Sequence, residues 1–214
     1  MIGMSANEKI AILCHGFNKS RNDMSFLSAG LSSLGINNFT VNLPLRFRSF
    51  ADCIDSFHLQ VRGMVKTFKT IDFVGHSMGG LIIRSYINNF GVENASRCVF
   101  IATPHYGSGI AKIAGRVPFY RSIVKPIHAL QPSGENKYLL VNKAIEVGLI
   151  AGSKNSSMLG KLFLPKESDG RVEVFSASSA DAKDMRVLPY GHKEIHHKEE
   201  TLSLTAKFLE SGMF

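Results

Sequence analysis

The stretch IDFVGHSMGGLII, which runs from Ile71 to Ile83, decides the fold. Its first four residues have the largely apolar character of a buried strand and its last three open a helix, so the glycines between them mark a strand-to-helix turn. Ser77 stands in the middle of this turn, with Gly75 two residues before it and Gly79 two residues after it. A serine on so tight a turn needs small neighbours, and its hydroxyl then projects above the sheet. The stretch therefore predicts a nucleophilic serine.

Two other interpretations of this glycine-rich turn are a plain connection between strand and helix and a phosphate-binding loop. Neither G-x-x-x-x-G-K-[ST] nor G-x-G-x-x-G occurs at the turn, which argues against phosphate binding. The position of the turn directly after a strand, together with the additional Gly80, favours a nucleophile over a plain connection.

Short β-branched runs alternate with longer segments of helical spacing along the chain, which is typical of βαβ units in a parallel sheet. We predict strands at residues 10–14, 39–43, 71–74, 98–102 and 147–151, with a weaker sixth at 185–188. We predict helices at residues 24–34, 54–68, 81–91 and 199–209. The predicted fold class is α/β, a doubly wound and mostly parallel sheet of about six strands with helices on both faces. We expect residues 1–214 to form a single domain, with a cap-like or lid-like insertion at about 104–133.

Composition excludes several classes of protein. With 214 residues, 44% of them hydrophobic, the chain can bury a full core and is not a disordered polymer. No apolar run approaches the roughly 18 to 20 residues of a membrane-spanning helix. The first residues lack the order of a secretory signal, so we expect a cytoplasmic protein. Cys14, Cys53 and Cys98 form no CxxC motif, which suits buried thiols in a reducing compartment.

The chain is basic, with 25 Lys and Arg against 17 Asp and Glu and a formal net charge of +8. Such an excess suits a nucleic acid, an anionic membrane surface or an acidic substrate. The cationic clusters, for example at 66–69 and 116–121, are short and interrupted by apolar residues. We therefore interpret the charge as a solvated surface and expect no nucleic-acid partner and at most a weak contact with an anionic membrane surface.

A nucleophilic serine needs a base, and the best candidate among the histidines is His192. It follows the last predicted strand through a short loop that ends at the carboxyl edge of the sheet. His192 and His196 are also four residues apart, a spacing that metal ligands use on a helix. The surrounding residues do not form H-E-x-x-H, and neither Cys nor Asp is nearby in the sequence, so we assign no metal and no cofactor.

The base needs an orienting acid, and three aspartates precede His192. Asp169 is preferred because Gly170 permits a tight turn in the loop beyond the fifth strand, which would aim the carboxylate inward. Asp181 is the alternative. Asp184 directly precedes the last predicted strand and so lies at the wrong edge of the sheet. The order Ser77, Asp169, His192 is the order of α/β-hydrolases rather than that of chymotrypsin-like or subtilisin-like proteases.

Backbone N–H groups complete the predicted site. The N–H of Met78 opens the helix behind the serine, and the N–H of Phe17 follows the His-Gly turn at the end of the first strand. Together they would form an oxyanion hole. We expect the side chain of His15 itself to be structural, bridging two loops.

These residues together resemble the α/β-hydrolase superfamily, and within it the small bacterial lipases and esterases. The segments that carry the resemblance span most of the chain: LCHGF (13–17), DFVGHSMGG (72–80), IATPHYGS (101–108), SDGRV (168–172) and YGH (190–192). The resemblance implies a minimal α/β-hydrolase fold and a serine hydrolase that cleaves carboxylic esters through an acyl-enzyme. It maps the nucleophile to Ser77, the acid to Asp169, the base to His192 and the oxyanion donors to Phe17 and Met78.

The expected substrate is a small-molecule or lipid acyl ester. In the insertion, Phe119, Ile123, Ile127 and Leu130 recur at helical spacing, which fits either an apolar element at the mouth of the site or ordinary packing. The alternatives to an esterase are an acyl thioesterase or acyltransferase with the same three residues, and a non-catalytic binding module on the same fold.

Overall fold

The computed structural model describes residues 8–46, 48–109 and 138–214. The strands are β1 (Lys9–Cys14), β2 (Asn38–Thr40), β3 (Thr70–His76), β4 (Ala95–Ile101), β5 (Glu146–Gly152) and β6 (Asp184–Leu188). The helices are α1 (Ser25–Ser33), α2 (Phe50–Thr67), α3 (Met78–Phe90), α4 (Met158–Phe163), α5 (Val174–Ala177) and α6 (Glu199–Ser211). Short 3₁₀ turns form at Arg21–Met24 and Ile195–His197. The short α4 and α5 were not predicted from the sequence.

The strands form one six-stranded sheet in the order β2-β1-β3-β4-β5-β6. Every neighbouring pair is parallel, which confirms the predicted α/β class. The chain moves outward from β1 to β2 and then crosses back to β3, so the carboxyl ends of β1 and β3 are neighbours at the point where the order reverses. Such a switch point opens a crevice above the sheet, and ligands of α/β folds bind there.

Alternating side chains of each strand enter two separate buried clusters. In β1, Ile10 and Ile12 pack with residues of α2 and α3, whereas Ala11 and Leu13 pack with residues of α1 and α6. Both faces of the sheet are therefore covered. This is why the strands appear in the sequence as continuous apolar runs instead of an apolar and polar alternation.

Helix α2 begins at Phe50, four residues before the predicted start. Ser49 and Asp52 form a reciprocal capping box: the Ser49 hydroxyl accepts a hydrogen bond from the Asp52 amide, and the Asp52 carboxylate accepts one from the Ser49 amide, both at 3.1 Å. Apolar spacing alone cannot show such a start, because the cap is polar and lies ahead of the buried stripe.

Strand β2 has only three residues and ends before the predicted boundary at 43. Val41 still donates to the Leu13 carbonyl at 3.0 Å. Beyond it, Asn42 hydrogen-bonds through its backbone to the Gln60 side chain, at 2.9 and 3.0 Å, so helix α2 replaces the neighbouring strand as partner. The edge of the sheet is consequently short.

The structure also bears on the cysteines and on membrane-spanning helices. The cysteines are buried and unpaired, and burial raises the pKa of the Cys14 and Cys98 thiols well above the ordinary range, so they are inert at neutral pH. Among the described residues, no helix combines the length and the apolar character needed to cross a membrane.

Candidate active site

Ser77 occupies the turn between β3 and α3 with φ of 54° and ψ of −127°. A positive φ is uncommon for a residue with a side chain and costs free energy, so the surrounding packing must hold it in place. The Ser77 amide donates to the Ile101 carbonyl at 2.9 Å, which anchors the turn to the end of β4. The serine therefore stands in a fixed orientation at the carboxyl edge of the sheet.

Close backbone contacts explain the three glycines around this serine. A Cβ atom on Gly75 would collide with Gly80, and one on Gly79 would collide with the carbonyl oxygens at the end of β1. A Cβ atom on Gly80 would strike the Thr103 side chain beyond β4. Helix α3 can therefore approach the neighbouring strands only because these positions carry no side chain.

The side chains of Ser77, His192 and Asp169 form a continuous hydrogen-bonded row. His192 Nε2 lies 3.0 Å from Ser77 Oγ, and His192 Nδ1 lies 2.7 Å from Asp169 Oδ2. A carboxylate only accepts, so Nδ1 carries the proton and Nε2 presents its lone pair to the serine hydroxyl. All three residues are buried. The arrangement can remove a proton from Ser77 and stabilise the imidazolium that results.

A tight turn after β5 holds the Asp169 carboxylate. Its Oδ1 accepts hydrogen bonds from the amides of Arg171 at 2.9 Å and Val172 at 2.8 Å, which leaves Oδ2 for His192. Gly170 follows with φ of 89°, a conformation that favours glycine. The His192 amide donates to the Asp169 carbonyl at 2.9 Å, so the acid loop and the base loop are joined through their backbones as well.

The other two aspartates considered from the sequence lie elsewhere. Both carboxylate oxygens of Asp181 accept hydrogen bonds from the Arg84 guanidinium, at 2.6 and 3.0 Å. Asp184 begins β6, at the opposite edge of the sheet from His192 as expected, and accepts from the Phe214 amide at 2.9 Å. The geometry therefore favours Asp169 over its alternative Asp181.

The two predicted oxyanion donors belong to neighbouring segments, the start of α3 and the loop after β1. Met78 is the first residue of α3 and directly follows Ser77. Phe17 follows Gly16, where a Cβ atom would lie only 3.1 Å from the Ser77 Cβ. The loop after β1 thus passes directly beside the serine turn.

His15 is structural, as its sequence context indicated. Its Nε2 accepts a hydrogen bond from the Leu43 amide at 3.0 Å, and its Nδ1 donates to the Gly16 carbonyl at 2.9 Å. Burial lowers the pKa of His15, which keeps the ring neutral as this pairing requires. The side chain bridges the loops after β1 and β2.

A second histidine, His76, contacts the candidate base His192 from behind and was not singled out in the sequence. Its Nε2 lies 3.1 Å from the His192 carbonyl and must donate to it. Burial, assisted by the nearby imidazoles of His196 and His192, lowers the pKa of His76 well below its ordinary range. His76 precedes Ser77 in the glycine-rich motif, so the sequence places it beside the serine. Its hydrogen-bond partner, the His192 carbonyl, is 116 residues away, and only the fold reveals that contact.

The segment after β4 braces the acid loop, a role that the sequence did not reveal. Ser108 Oγ donates to the Arg171 carbonyl at 2.6 Å, and Ser176 Oγ donates to the Gly107 carbonyl. His105 lies 3.2 Å from the Ala177 carbonyl, and burial lowers the pKa of His105 to about 3. This segment coincides with IATPHYGS, one of the pieces that carried the family resemblance.

Residues 110–137 lie outside the described residues, and with them most of the predicted insertion at 104–133. The apolar residues at 119, 123, 127 and 130 fall in that range. The contact with an anionic membrane surface and the single-domain organisation of residues 1–214 stay predictions.

An all-parallel sheet that carries a serine on a strained turn, beside a histidine and an aspartate from later loops, defines an α/β-hydrolase. The family model described as "Alpha/beta hydrolase of unknown function (DUF915)" matches residues 63–211, and the chain belongs to this family. No curated protein gives a match.

Solved structures share the fold at low sequence identity. The mature Bacillus licheniformis lipase BlEst2 is 17% identical with a TM-score of 0.75, over 99% of this chain and 94% of that one. The metagenomic carboxyl esterase MGS0156 is 14% identical with a TM-score of 0.72, over 88% of this chain and 65% of that one. The phospholipase PlaB from Legionella pneumophila is 16% identical with a TM-score of 0.63, over 79% of this chain and 45% of that one.

Proposed function

We propose that this α/β-hydrolase cleaves carboxylic esters, with Ser77 as nucleophile, His192 as general base and acid, and Asp169 as the residue that orients His192. The observation that carries the proposal is the hydrogen-bonded row from Ser77 Oγ through His192 to Asp169 Oδ2, at 3.0 and 2.7 Å. A serine hydroxyl is a weak nucleophile, and a lone pair at this distance is what activates it.

The reaction follows from this geometry in two halves. As Ser77 Oγ attacks the ester carbonyl, His192 Nε2 takes its proton, and the N–H groups of Phe17 and Met78 stabilise the tetrahedral oxyanion. The imidazolium then protonates the departing alcohol, which leaves an acyl group on Ser77. Water attacks this acyl-enzyme with the same assistance and releases the acid, so the serine is regenerated.

Exposed apolar side chains near the acid loop support an acyl substrate. Met158, Leu162 and Phe163 of α4 and Phe175 of α5 are each more than half exposed. The two helices lie before and after the acid in the chain, and Ser157, which caps α4, donates to the Gly170 carbonyl at 2.8 Å. Apolar surface of this kind suits the hydrocarbon part of an ester. The lipase and esterase structures that share the fold are consistent with that substrate class.

The test is covalent labelling with a fluorophosphonate probe together with hydrolysis of p-nitrophenyl esters. The wild-type chain is expected to be labelled once, at Ser77, and Ser77→Ala is expected to lose both labelling and hydrolysis while staying folded. Ser203→Ala, a change at an exposed serine on α6, is the matched control and should retain both. Full hydrolysis by Ser77→Ala would overturn the proposal. Thioesters with the same acyl chain then measure the preference for the leaving group.

A further inference from the structure

A cluster of nitrogen and oxygen ligand atoms lies behind the candidate active site, between the loop after β1 and the loop after β6. Within the described residues, one ligand atom each from Asp23, His196 and His197 lies within 4.8 Å of the other two. We propose that these three side chains bind a divalent transition-metal ion of the zinc class, which joins the two loops.

Of the two ligand pairs that include Asp23, one is a hydrogen bond and the other is not. Asp23 Oδ2 lies 3.1 Å from His196 Nε2, and Asp23 Oδ1 lies 3.9 Å from His197 Nε2. The second distance is too long for a hydrogen bond. Tetrahedral zinc with bonds of about 2.0 to 2.1 Å separates its ligand atoms by about 3.3 Å, so the His196 nitrogen already lies near this distance from the carboxylate, and the His197 nitrogen would have to move a few tenths of an ångström closer.

The buried ring of His76 is an independent sign that a cation belongs beside Asp23. Its Nε2 donates to the His192 carbonyl, so its Nδ1 carries a lone pair. Among the described residues Nδ1 has no hydrogen-bond partner, and it lies 3.9 Å from Asp23 Oδ2 on a side chain that is only 3% exposed. Two electron-rich atoms thus face each other in a buried position. A positive ion held by the carboxylate would compensate this unfavourable contact.

The donor set indicates which ion. Two imidazoles and one carboxylate are the ligands that zinc and its neighbours among the first-row transition metals prefer, whereas calcium and magnesium favour oxygen alone. His196 is fully buried, and His197 is 39% exposed, so the site opens toward solvent on the His197 side. A water molecule entering there would complete four ligands.

Lys19 is a cation that already approaches the same carboxylate. Its Nζ lies 2.6 Å from Asp23 Oδ1, and its side chain is 40% exposed, so it can move into solvent when another cation arrives. The lysine and the metal would compete for Asp23. This competition makes a specific prediction, because removal of the lysine should strengthen metal binding.

A bound ion would stiffen the loop that holds the base. Asp23 and His196 are 173 residues apart in the sequence, so the ion would cross-link distant parts of the chain. The His196 ring stacks on the His76 ring with their centroids 3.8 Å apart, and His76 Nε2 donates a hydrogen bond to the backbone carbonyl of His192. The site is therefore structural in character and adjacent to, but separate from, the reacting atoms.

The test measures metal binding directly and does not depend on ester hydrolysis. Protein stripped by a chelator is titrated with Zn²⁺ by calorimetry and with Co²⁺ by visible absorption. We expect one ion per chain and tetrahedral-type Co²⁺ bands. Asp23→Asn and His197→Ala should each weaken binding at least about tenfold, and Lys19→Ala should strengthen it. His58→Ala, which removes a histidine stacked on Phe90, is the matched control and should bind as the wild type does.

Two results would overturn the proposal. One is that neither Zn²⁺ nor Co²⁺ binds the wild-type chain. The other is that Asp23→Asn and His197→Ala bind with unchanged affinity. Circular dichroism of each variant without metal shows whether it is folded, and the Lys19→Ala variant keeps all three ligands, so a failure of one variant to fold does not remove the test.

Discussion

At the scale of single residues, the two oxygens of Asp169 have different partners. Oδ1 is held by the amides of Arg171 and Val172, and Oδ2 is left to fix the proton of His192 on Nδ1. The lone pair of Nε2 faces Ser77 only in that tautomer. One carboxylate group therefore determines whether a histidine lone pair faces the serine hydroxyl.

Replacing Asp169 by Asn tests this division of roles. The amide oxygen can still accept from the loop, but the amide nitrogen would face Nδ1 and favour the wrong tautomer of His192. We expect kcat for p-nitrophenyl esters to fall by about 10³ to 10⁴ while the fold is kept, by analogy with other triads.

Asp55→Asn is the matched control, because Asp55 is exposed on α2 and is not one of the candidate site residues. It should leave kcat unchanged. A loss of less than about tenfold for Asp169→Asn would show that another acid orients His192. Asp181 is the remaining candidate from the sequence, although its carboxylate is held by Arg84.

At the scale of elements, the start of α2 depends on its polar cap. Ser49→Ala removes the hydroxyl that accepts from the Asp52 amide and leaves that amide without its partner. We expect the free energy of unfolding to fall by about 1 kcal/mol. Urea unfolding measures this change, which should appear as a lower midpoint with an unchanged slope.

Ser203→Ala is again a suitable control, since Ser203 lies exposed within α6. The free energy of unfolding of Ser203→Ala should lie within about 0.5 kcal/mol of the wild-type value. Equal stability of Ser49→Ala and wild type would mean that water replaces the cap without cost.

Strands and long helices could be predicted from the sequence because both faces of the sheet are buried. Runs such as 10–14 and 98–102 are therefore apolar throughout, and they overlap β1 and β4 of the structure. The end of β2 could not be predicted, because the chain leaves the sheet when Asn42 pairs with Gln60, a contact across 18 residues. Polar contacts of this kind carry no periodic signal.

The candidate site was predictable in part for a related physical reason. Ser77 lies in a local pattern that glycine sterics enforce, and Asp169 and His192 lie in loops at a predictable edge of the sheet. The partnership of Asp23 with His196 and the contact of His76 with His192 have no local pattern. They appear only when chain segments more than 100 residues apart are folded together.

At the scale of the whole molecule, a buried ion pair joins α3 to the segment before β6. The Arg84 guanidinium, fully buried and 4.4 Å from the Phe100 ring centroid, is held by Asp181. Burial alone would raise the pKa of Asp181, but the hydrogen bonds and charge of Arg84 lower it from its ordinary 3.8 to about 2.

This pair predicts a loss of stability in acid. A carboxyl group with a lowered folded pKa stabilises the fold fully above pH 3.8, and this contribution is lost as the pH falls through about 2. Allowing for solvent screening, the contribution is roughly 1 to 2 kcal/mol. Asp181→Asn should be less stable than wild type by a similar amount, about 1 to 2 kcal/mol, at pH 7, because the amide, like a protonated carboxyl, leaves the Arg84 charge uncompensated.

The difference in the free energy of unfolding between wild type and Asp181→Asn should narrow between pH 4 and pH 2, because Asp181 of the wild type is then protonated and loses its charge. Urea unfolding at several pH values measures it. Asp55→Asn should follow the wild type throughout. A difference that is constant from pH 7 to pH 2 would show that the charge of Asp181 contributes nothing.

The parallel order of all six strands also bears on how the chain reaches its native state. Parallel neighbours need long crossovers. The chain loses the entropy of closing these loops before the contacts between the strands can stabilise it, and such topologies fold slowly. Ser77 and His192 meet across 115 residues, in loops that follow β3 and β6 of this sheet. If Ser77 is the nucleophile, a fluorophosphonate would label only molecules in which Ser77 and His192 are together, and the return of labelling after dilution from denaturant would time the assembly of this site.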